Sequence, residues 1–276
     1  MLRAIVLGAV QGLAEYVPVS SSAHLVLVPF VLGWGVTDPV PGVPALTFDV
    51  SIHLGTLVAV VAYFWRDLWG ILRGSLRALA GRGDERDRRR ARLLGLLAIG
   101  SVPAAVLGLA FGDSVEETFQ EPQVVALLLL VTAGLLVAAD TLHARRAHHR
   151  EVDSIGLTDA VVIGLFQGIA LLPGISRSGS TIAAGVGRGL SREAAARFSF
   201  LLSIPAIVGA ALVKVPDLSG SANLGTVALG TLAAAAVGFA SIWFLLRYLR
   251  HGRLVPFAVY CVVAAAIGLV FWLQFK

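Results

Sequence analysis

The stretch Gly164-Leu165-Phe166-Gln167-Gly168-Ile169-Ala170-Leu171-Leu172-Pro173-Gly174-Ile175-Ser176-Arg177-Ser178-Gly179-Ser180-Thr181 decides the fold. It lies inside an apolar segment, 158–190, that Pro173, Gly174 and Ser176-Arg177-Ser178 split in two. Crossing a bilayer takes about 20 mostly apolar residues, and each half has only roughly 12–15. Broken backbone at membrane depth survives only where protein buries it or a wet cavity lines it. The pattern predicts a re-entrant helix hairpin, with a Pro-kinked full span as the alternative. Residues 2–33 read the same way, split by Glu15, Pro18 and Ser20-Ser21-Ser22.

The two broken segments resemble each other. Gly8-Ala9-Val10-Gln11-Gly12-Leu13-Ala14 matches Gly164-Leu165-Phe166-Gln167-Gly168-Ile169-Ala170, with one residue of slippage before Pro18 and Pro173. Phe48 and Phe198 then open the next span in each half. So short a match could arise by chance, but its position in each half argues otherwise. Each half reads as one broken hairpin and three spans, about 1–140 and about 158–276. An odd number of spans inverts the second half, and in inverted repeats the site forms where two broken helices meet near the midplane.

Composition agrees. Of 276 residues, 57% are hydrophobic and 14% charged, and the mean hydropathy is +0.83. Soluble domains carry roughly 45–50% apolar and about 25% charged residues. A single cysteine, Cys261, excludes a disulfide scaffold or a multi-Cys metal site. No signal-peptide layout opens the chain, because Glu15 and the Ser run interrupt its first apolar stretch. The expected fold class is an all-α polytopic membrane protein, one domain over 1–276. Six transmembrane helices are expected at roughly 47–65, 92–111, 122–140, 194–213, 225–246 and 255–275, beside the two hairpins.

The net charge is +5, and a pI near 10.0 would point to nucleic acid in a soluble chain. Here it has another cause, and no nucleic-acid partner is expected. An Arg-rich loop, 66–92, holds nine Arg against four acids; 141–150 and 247–253 hold three Arg each. The segment 112–121 has Asp113, Glu116, Glu117 and Glu121 with no base. Basic loops face the cytoplasm, so both termini fall outside. The Arg-rich loop could also meet anionic lipid headgroups, but topology alone accounts for it.

Two polar clusters stand where lipid should exclude them. The first is Gln11, Glu15, Ser20, Ser21, Ser22 and His24. Gln11 and Glu15 share a helix face, the Ser run suits an N-cap, and an intramembrane carboxylate marks function. A purely structural cap or salt bridge for Glu15 is the alternative. The second runs from Gly174 through Ser176, Arg177, Ser178 and Ser180 to Thr181. Glycines, a helix N-terminus and an Arg fork make a phosphate cradle, though not a P-loop, whose Lys and spacing are missing. Asp49 and His53, four apart, could support the site, bind a cation or simply end a helix. Asp140, Asp159 and Glu193 read as structural, and His148-His149 as solvated loop. Together the clusters call for an anionic, phosphorylated amphiphile, either hydrolysed at a phosphoanhydride or passed across the bilayer.

At Gln11 to His24 and Pro173 to Thr181 the chain resembles the undecaprenyl-diphosphate phosphatase family of the bacitracin-resistance type. The motifs match the family's acidic Glu/Gln-x-x-x-Glu and Pro-Gly-x-Ser-Arg-Ser-x-x-Thr patterns, and Phe48 to Trp65 resembles its following span. The resemblance covers nearly the whole chain. It implies an enzyme of the bacterial inner membrane that removes one phosphate from the C55 isoprenyl diphosphate carrier, recycling it for peptidoglycan and conferring bacitracin resistance. It also implies a site open to the outer face and a divalent cation, Mg²⁺ or Ca²⁺. The functional residues the resemblance implies are Glu15, Ser21, His24, Ser176, Arg177 and Thr181. Joined to the two clusters, they make Glu15, His24, Ser21 and Arg177 the expected catalytic residues, with Ser20, Ser22, Gly174, Ser176, Ser178 and Thr181 expected to bind substrate. His24 and Ser21 are rival nucleophiles. Gln11 stands where other members carry Glu, so the metal would rest on Glu15 with Gln11 or Asp49. A lipid flippase on the same architecture is the competing reading. An acid-phosphatase-type lipid phosphatase ranks lower, because its motifs are absent as a set. A homodimer is left open.

Overall fold

In the computed structural model, residues 1–119, 121–214 and 223–275 are described, with the side chains of 113–119 excepted. The acidic side chains of Asp113, Glu116 and Glu117 therefore lie outside the described residues. The described chain is helical: α1 (Leu2–Tyr16), α2 (Ser21–Val31), α3 (Ala45–Tyr63), α4 (Trp65–Leu79), α5 (Glu85–Phe119), α6 (Pro122–Ala144), α7 (Leu157–Ile169), α8 (Arg177–Gly187), α9 (Arg192–Lys214), α10 (Leu224–Leu249) and α11 (Val255–Phe275). Six of these, α3, α5, α6, α9, α10 and α11, are long and apolar enough to cross a membrane. They fall on the six segments expected. The hairpin helices α1–α2 and α7–α8 are shorter, at 15, 11, 13 and 11 residues.

The breaks have local causes. Ser20 takes a positive φ of 70°, and its hydroxyl accepts the Ala23 N–H to start α2. Gly174 has φ +104°, and a Cβ there would stand 2.5 Å from the Val125 carbonyl oxygen. Only glycine fits that turn. Ser176 then caps α8 by accepting from Gly179 N–H.

Both halves run two short helices and then three long ones, with the short α4 inserted between α3 and α5 in the first half, and the halves interlock. α1 packs on α10, and α7 on α5, so the first helix of each hairpin lies along the middle span of the other half. The shared Gly-x-x-x-Gly spacing explains this. A Cβ on Gly8 would lie 2.1 Å from the Gly230 carbonyl oxygen, and one on Gly164 2.2 Å from that of Gly100. Gly12 meets Ala234 and Gly238, while Gly168 meets Leu107 and Pro103. Small residues at such crossings let backbones approach in lipid.

The stretch 66–92, expected as loop, is mostly helix. α4 fills its first half and α5 begins at Glu85, leaving 80–84 as the turn. The density of Arg masked a 3.6-residue apolar period of Trp65, Trp69, Leu72, Leu76 and Leu79. Ion pairs close the basic face of the bundle. Asp140 takes Arg192 at 2.6 Å and the N–H groups of Leu254 and Val255. Asp159 takes Arg150 and Arg188 at 2.8 and 2.9 Å, and Glu193 meets Arg250 at 3.3 Å. His149 stacks on His143 with ring centres 3.5 Å apart.

Candidate active site

The tips of the two hairpins meet. Glu15, in the last turn of α1, is 7% exposed. Its Oε1 receives Arg177, the first residue of α8, at 2.6 Å. Its Oε2 receives the Ser21 hydroxyl at 2.8 Å and the Gln11 amide at 3.0 Å. His53 of α3 places Nε2 4.0 Å from the same oxygen, while its Nδ1–H donates to the Asp49 carbonyl at 2.8 Å. One carboxylate thus gathers groups from α1, α2, α3 and α8. A buried charge is stable only when paired and hydrogen-bonded, and Glu15 meets both conditions.

Around this centre the serines form a frame. Gly174 N–H donates to Ser22 Oγ at 3.3 Å, and Ser178 Oγ donates to the Val17 carbonyl at 3.3 Å. Ser22 and Ser178 thus each tie their hairpin to the turn of the other. Ser20 and Ser176 cap their helices and lie 3.1 and 3.2 Å from Ser22 and Ser178. Between the framing serines stand Ser21 in one half and Arg177 in the other, and both reach Glu15. Thr181 Oγ1 donates to the Arg177 carbonyl at 2.8 Å and lies 2.6 Å from Ser199 Oγ. Arg177 also donates to the Ser199 carbonyl at 3.3 Å.

Of the residues singled out by sequence, Gln11, Glu15, Ser21 and Arg177 form one bonded centre. Ser20, Ser22, Gly174, Ser176, Ser178 and Thr181 surround it, with their polar groups engaged in the frame. Asp49 reaches the centre only through His53, at 3.5 Å. His24 turns elsewhere. Its Nδ1 lies 2.8 Å from the Ser20 carbonyl, which can only accept, so Nδ1 carries the proton there. In the neutral ring Nε2 then accepts from the Tyr260 hydroxyl at 2.8 Å, with the rings stacked 5.5 Å apart.

Four contributors escaped the sequence reading. Thr132 of α6 donates to the Gly174 carbonyl at 3.1 Å and accepts Ser176 N–H at 2.9 Å. Ser199 supports Arg177, Tyr260 supports His24, and Tyr16 donates to the Thr56 carbonyl. Thr132, Ser199 and Tyr260 lie on long spanning helices, where a hydroxyl among apolar residues is a weak signal by itself, and Tyr16 ends the short α1.

The fold and site define a class: a multi-pass membrane protein with a buried Glu–Arg centre between two interlocked broken hairpins. The chain matches the family described as Bacitracin resistance protein BacA over residues 4–267, and it belongs to that family. It is 46% identical over 276 residues to the undecaprenyl-diphosphatase of Moorella thermoacetica, covering 99% of both chains. The enzyme of the same name from Pelotomaculum thermopropionicum is 43% identical over 98% of this chain and 96% of its own. That from Acidiphilium cryptum is 40% identical, with 98% and 97% covered.

Proposed function

We propose that this chain is an integral membrane undecaprenyl-diphosphatase. It hydrolyses undecaprenyl diphosphate to undecaprenyl phosphate and inorganic phosphate, returning the carrier to peptidoglycan synthesis and conferring bacitracin resistance. The observation that carries this reading is the Glu15–Arg177–Ser21 constellation, in a chain whose relatives bear that name. It pairs an anion-binding guanidinium with a hydroxyl already bonded to a carboxylate base, the arrangement of an activated nucleophile.

In the mechanism, the diphosphate enters between the hairpin tips and takes N–H groups of Arg177 and of the α8 N-terminus. Phosphate competes with Glu15 for Arg177, which leaves the carboxylate free to accept a proton. Ser21 Oγ attacks the terminal phosphorus and passes its proton to Glu15. The bond from that phosphorus to the bridging oxygen breaks, and undecaprenyl phosphate leaves. The departing undecaprenyl phosphate takes that proton from Glu15; water then attacks the phosphoserine and gives a proton to Glu15, which returns it to Ser21 Oγ as inorganic phosphate leaves. Arg177 stabilises the charge on the equatorial oxygens in both steps. Of the two nucleophiles weighed, Ser21 is favoured because it bonds Glu15, whereas His24 has both nitrogens engaged.

A divalent cation, Mg²⁺ or Ca²⁺, fits beside Glu15 only if the substrate completes its shell. Among the described residues no three His, Cys, Asp or Glu are grouped to hold one. Gln11 Oε1, however, is buried without a hydrogen-bond partner next to the Glu15 carboxylate. One carboxylate, one amide oxygen and phosphate oxygens suit Mg²⁺. Bound there, the cation would neutralise charge on the diphosphate.

We place the enzyme in the bacterial inner membrane, with its basic loops cytoplasmic and its site opening outward. The halves are inverted repeats in this reading, supported by the reciprocal packing of α1 on α10 and α7 on α5. That packing also suits the second reading, a lipid flippase. Phosphate release in detergent, where no sidedness exists, separates the two. We expect wild-type protein to release phosphate from C55 diphosphate, with Glu15→Ala and Arg177→Ala each losing about a thousandfold. Rapid quenching of labelled substrate should place the phosphoryl group on Ser21. Equal rates in all three proteins would overturn the site.

A further inference from the structure

Helix α4 takes no part in the site, yet its residues are sorted into three strips. Ile71, Gly74 and Ser75 are buried, with Gly70 and Gly74 against the Arg90 side chain of α5. Trp65, Trp69, Leu72, Leu76 and Leu79 form the second strip and stand 56, 60, 49, 59 and 85% exposed. Arg66, Arg73 and Arg77 form the third, about 100° round the helix at 3.6 residues per turn. A groove of about 460 Å³ is walled by Trp69, Leu72 and Leu76 and flanked by Arg73, Arg77 and Arg82.

Charge and position say what covers this face. Of the nearby acids, Asp67 is taken by Arg197 at 3.3 Å and Glu85 by Arg89 at 2.6 Å. Asp87 meets Arg77 at 3.8 Å, and Asp84 accepts the Asp87 N–H at 2.8 Å. Among the described residues Arg73 and Arg82 have no carboxylate partner, so the groove keeps a net positive charge. Only Phe64 separates α4 from the spanning helix α3, so Trp65 emerges at the edge of the bilayer, the depth that suits an indole ring. At 15 residues α4 is too short to cross. Large apolar side chains beside Arg are the composition of a helix lying in the headgroup boundary.

We propose that α4 is an interfacial helix that binds anionic phospholipid. Its Trp65–Leu79 strip enters the acyl boundary, and the groove between that strip and Arg73, Arg77 and Arg82 takes the headgroup phosphate. The proposal does not depend on the diphosphatase reading.

The test uses the full chain with Trp34, Trp243 and Trp272 changed to Phe, which leaves Trp65 and Trp69 as the fluorophores. It is reconstituted in mixed phosphatidylcholine and phosphatidylglycerol vesicles, with bromine on the acyl chains of one lipid or the other at equal density. We expect both to quench, with the anionic lipid enriched about fivefold around the tryptophans, the effect of ~1 kcal/mol for a single basic contact. Adding R73Q, R77Q and R82Q should remove the enrichment but keep quenching by phosphatidylcholine. An unchanged melting temperature in detergent would show that this variant is folded. Equal quenching by both lipids before the Arg changes overturns the proposal. So does an absence of quenching, which would mean that the strip is covered by a second copy of the chain or faces water.

Discussion

Glu15 is the residue on which the site turns, because four neighbours share its two oxygens. Arg177 is the most specific of them. Its planar fork bonds Glu15 and the Ser199 carbonyl together and keeps further N–H groups for phosphate. A lysine at that position has the charge without the fork. We therefore expect Arg177→Lys to remain folded and to lose at least about a hundredfold in kcat, well short of recovery. Gln11 offers a complementary change. Gln11→Glu adds a second carboxylate and should lower the Mg²⁺ or Ca²⁺ concentration needed for half-maximal phosphate release. Unchanged cation dependence would remove Gln11 from any metal shell. The matching residue of the other half, Gln167, has Leu171 four positions on where Gln11 has Glu15. A shared frame thus carries the carboxylate in one half and the guanidinium in the other.

At the scale of elements, the hairpin turns are held by backbone groups that need partners. Thr132 alone joins α6 to two of them, the Gly174 carbonyl and the Ser176 N–H. Thr132→Val keeps the shape and leaves both groups unpaired in a buried place. Such losses cost about 1–3 kcal/mol each, so we expect a clearly lower melting temperature and weaker catalysis through a misplaced Arg177. The glycine crossings make a steric prediction. Gly164→Ala puts a methyl within 2.2 Å of the Gly100 carbonyl oxygen, and backbone must shift to admit it. Overpacking of this kind costs about 1–3 kcal/mol. Gly95, where nothing lies within 4 Å of an added Cβ, serves as the control, and Gly95→Ala should leave the melting temperature unchanged or raised. The cap in the Ser20–Ser22 run was legible in sequence because capping is local. Thr132, 42 residues from Gly174, and Tyr260, 236 from His24, were not, because nothing in a spanning helix says which neighbour its lone hydroxyl will meet.

For the whole molecule, the arrangement predicts sidedness. Cys introduced at Arg82 or His251, in Cys261→Ala protein, should react with a membrane-impermeant maleimide only from the cytoplasmic side. Cys at Asp38, between α2 and α3, should react only from outside. Labelling of all three from one side would refute the placement. The six spans and the two broken segments were readable in advance, because bilayer thickness sets helix length and Pro, Gly and Ser interrupt it. So were the polar residues that meet at the hairpin tips, because an intramembrane Glu and Arg are costly and stand out in an apolar segment. The 66–92 segment was read as loop because its charges hid an apolar period of only five residues. What the sequence by itself determined, then, was element lengths, breaks and chemical inventory, all set by local covalent and solvation energies. Tertiary structure alone decided that α1 lies on α10 and α7 on α5, that Arg177 reaches Glu15 across 162 residues, and that His24 turns to Tyr260 instead. Those choices depend on which surfaces fit once the chain is packed, and fit is a property of pairs of elements rather than of either one's sequence.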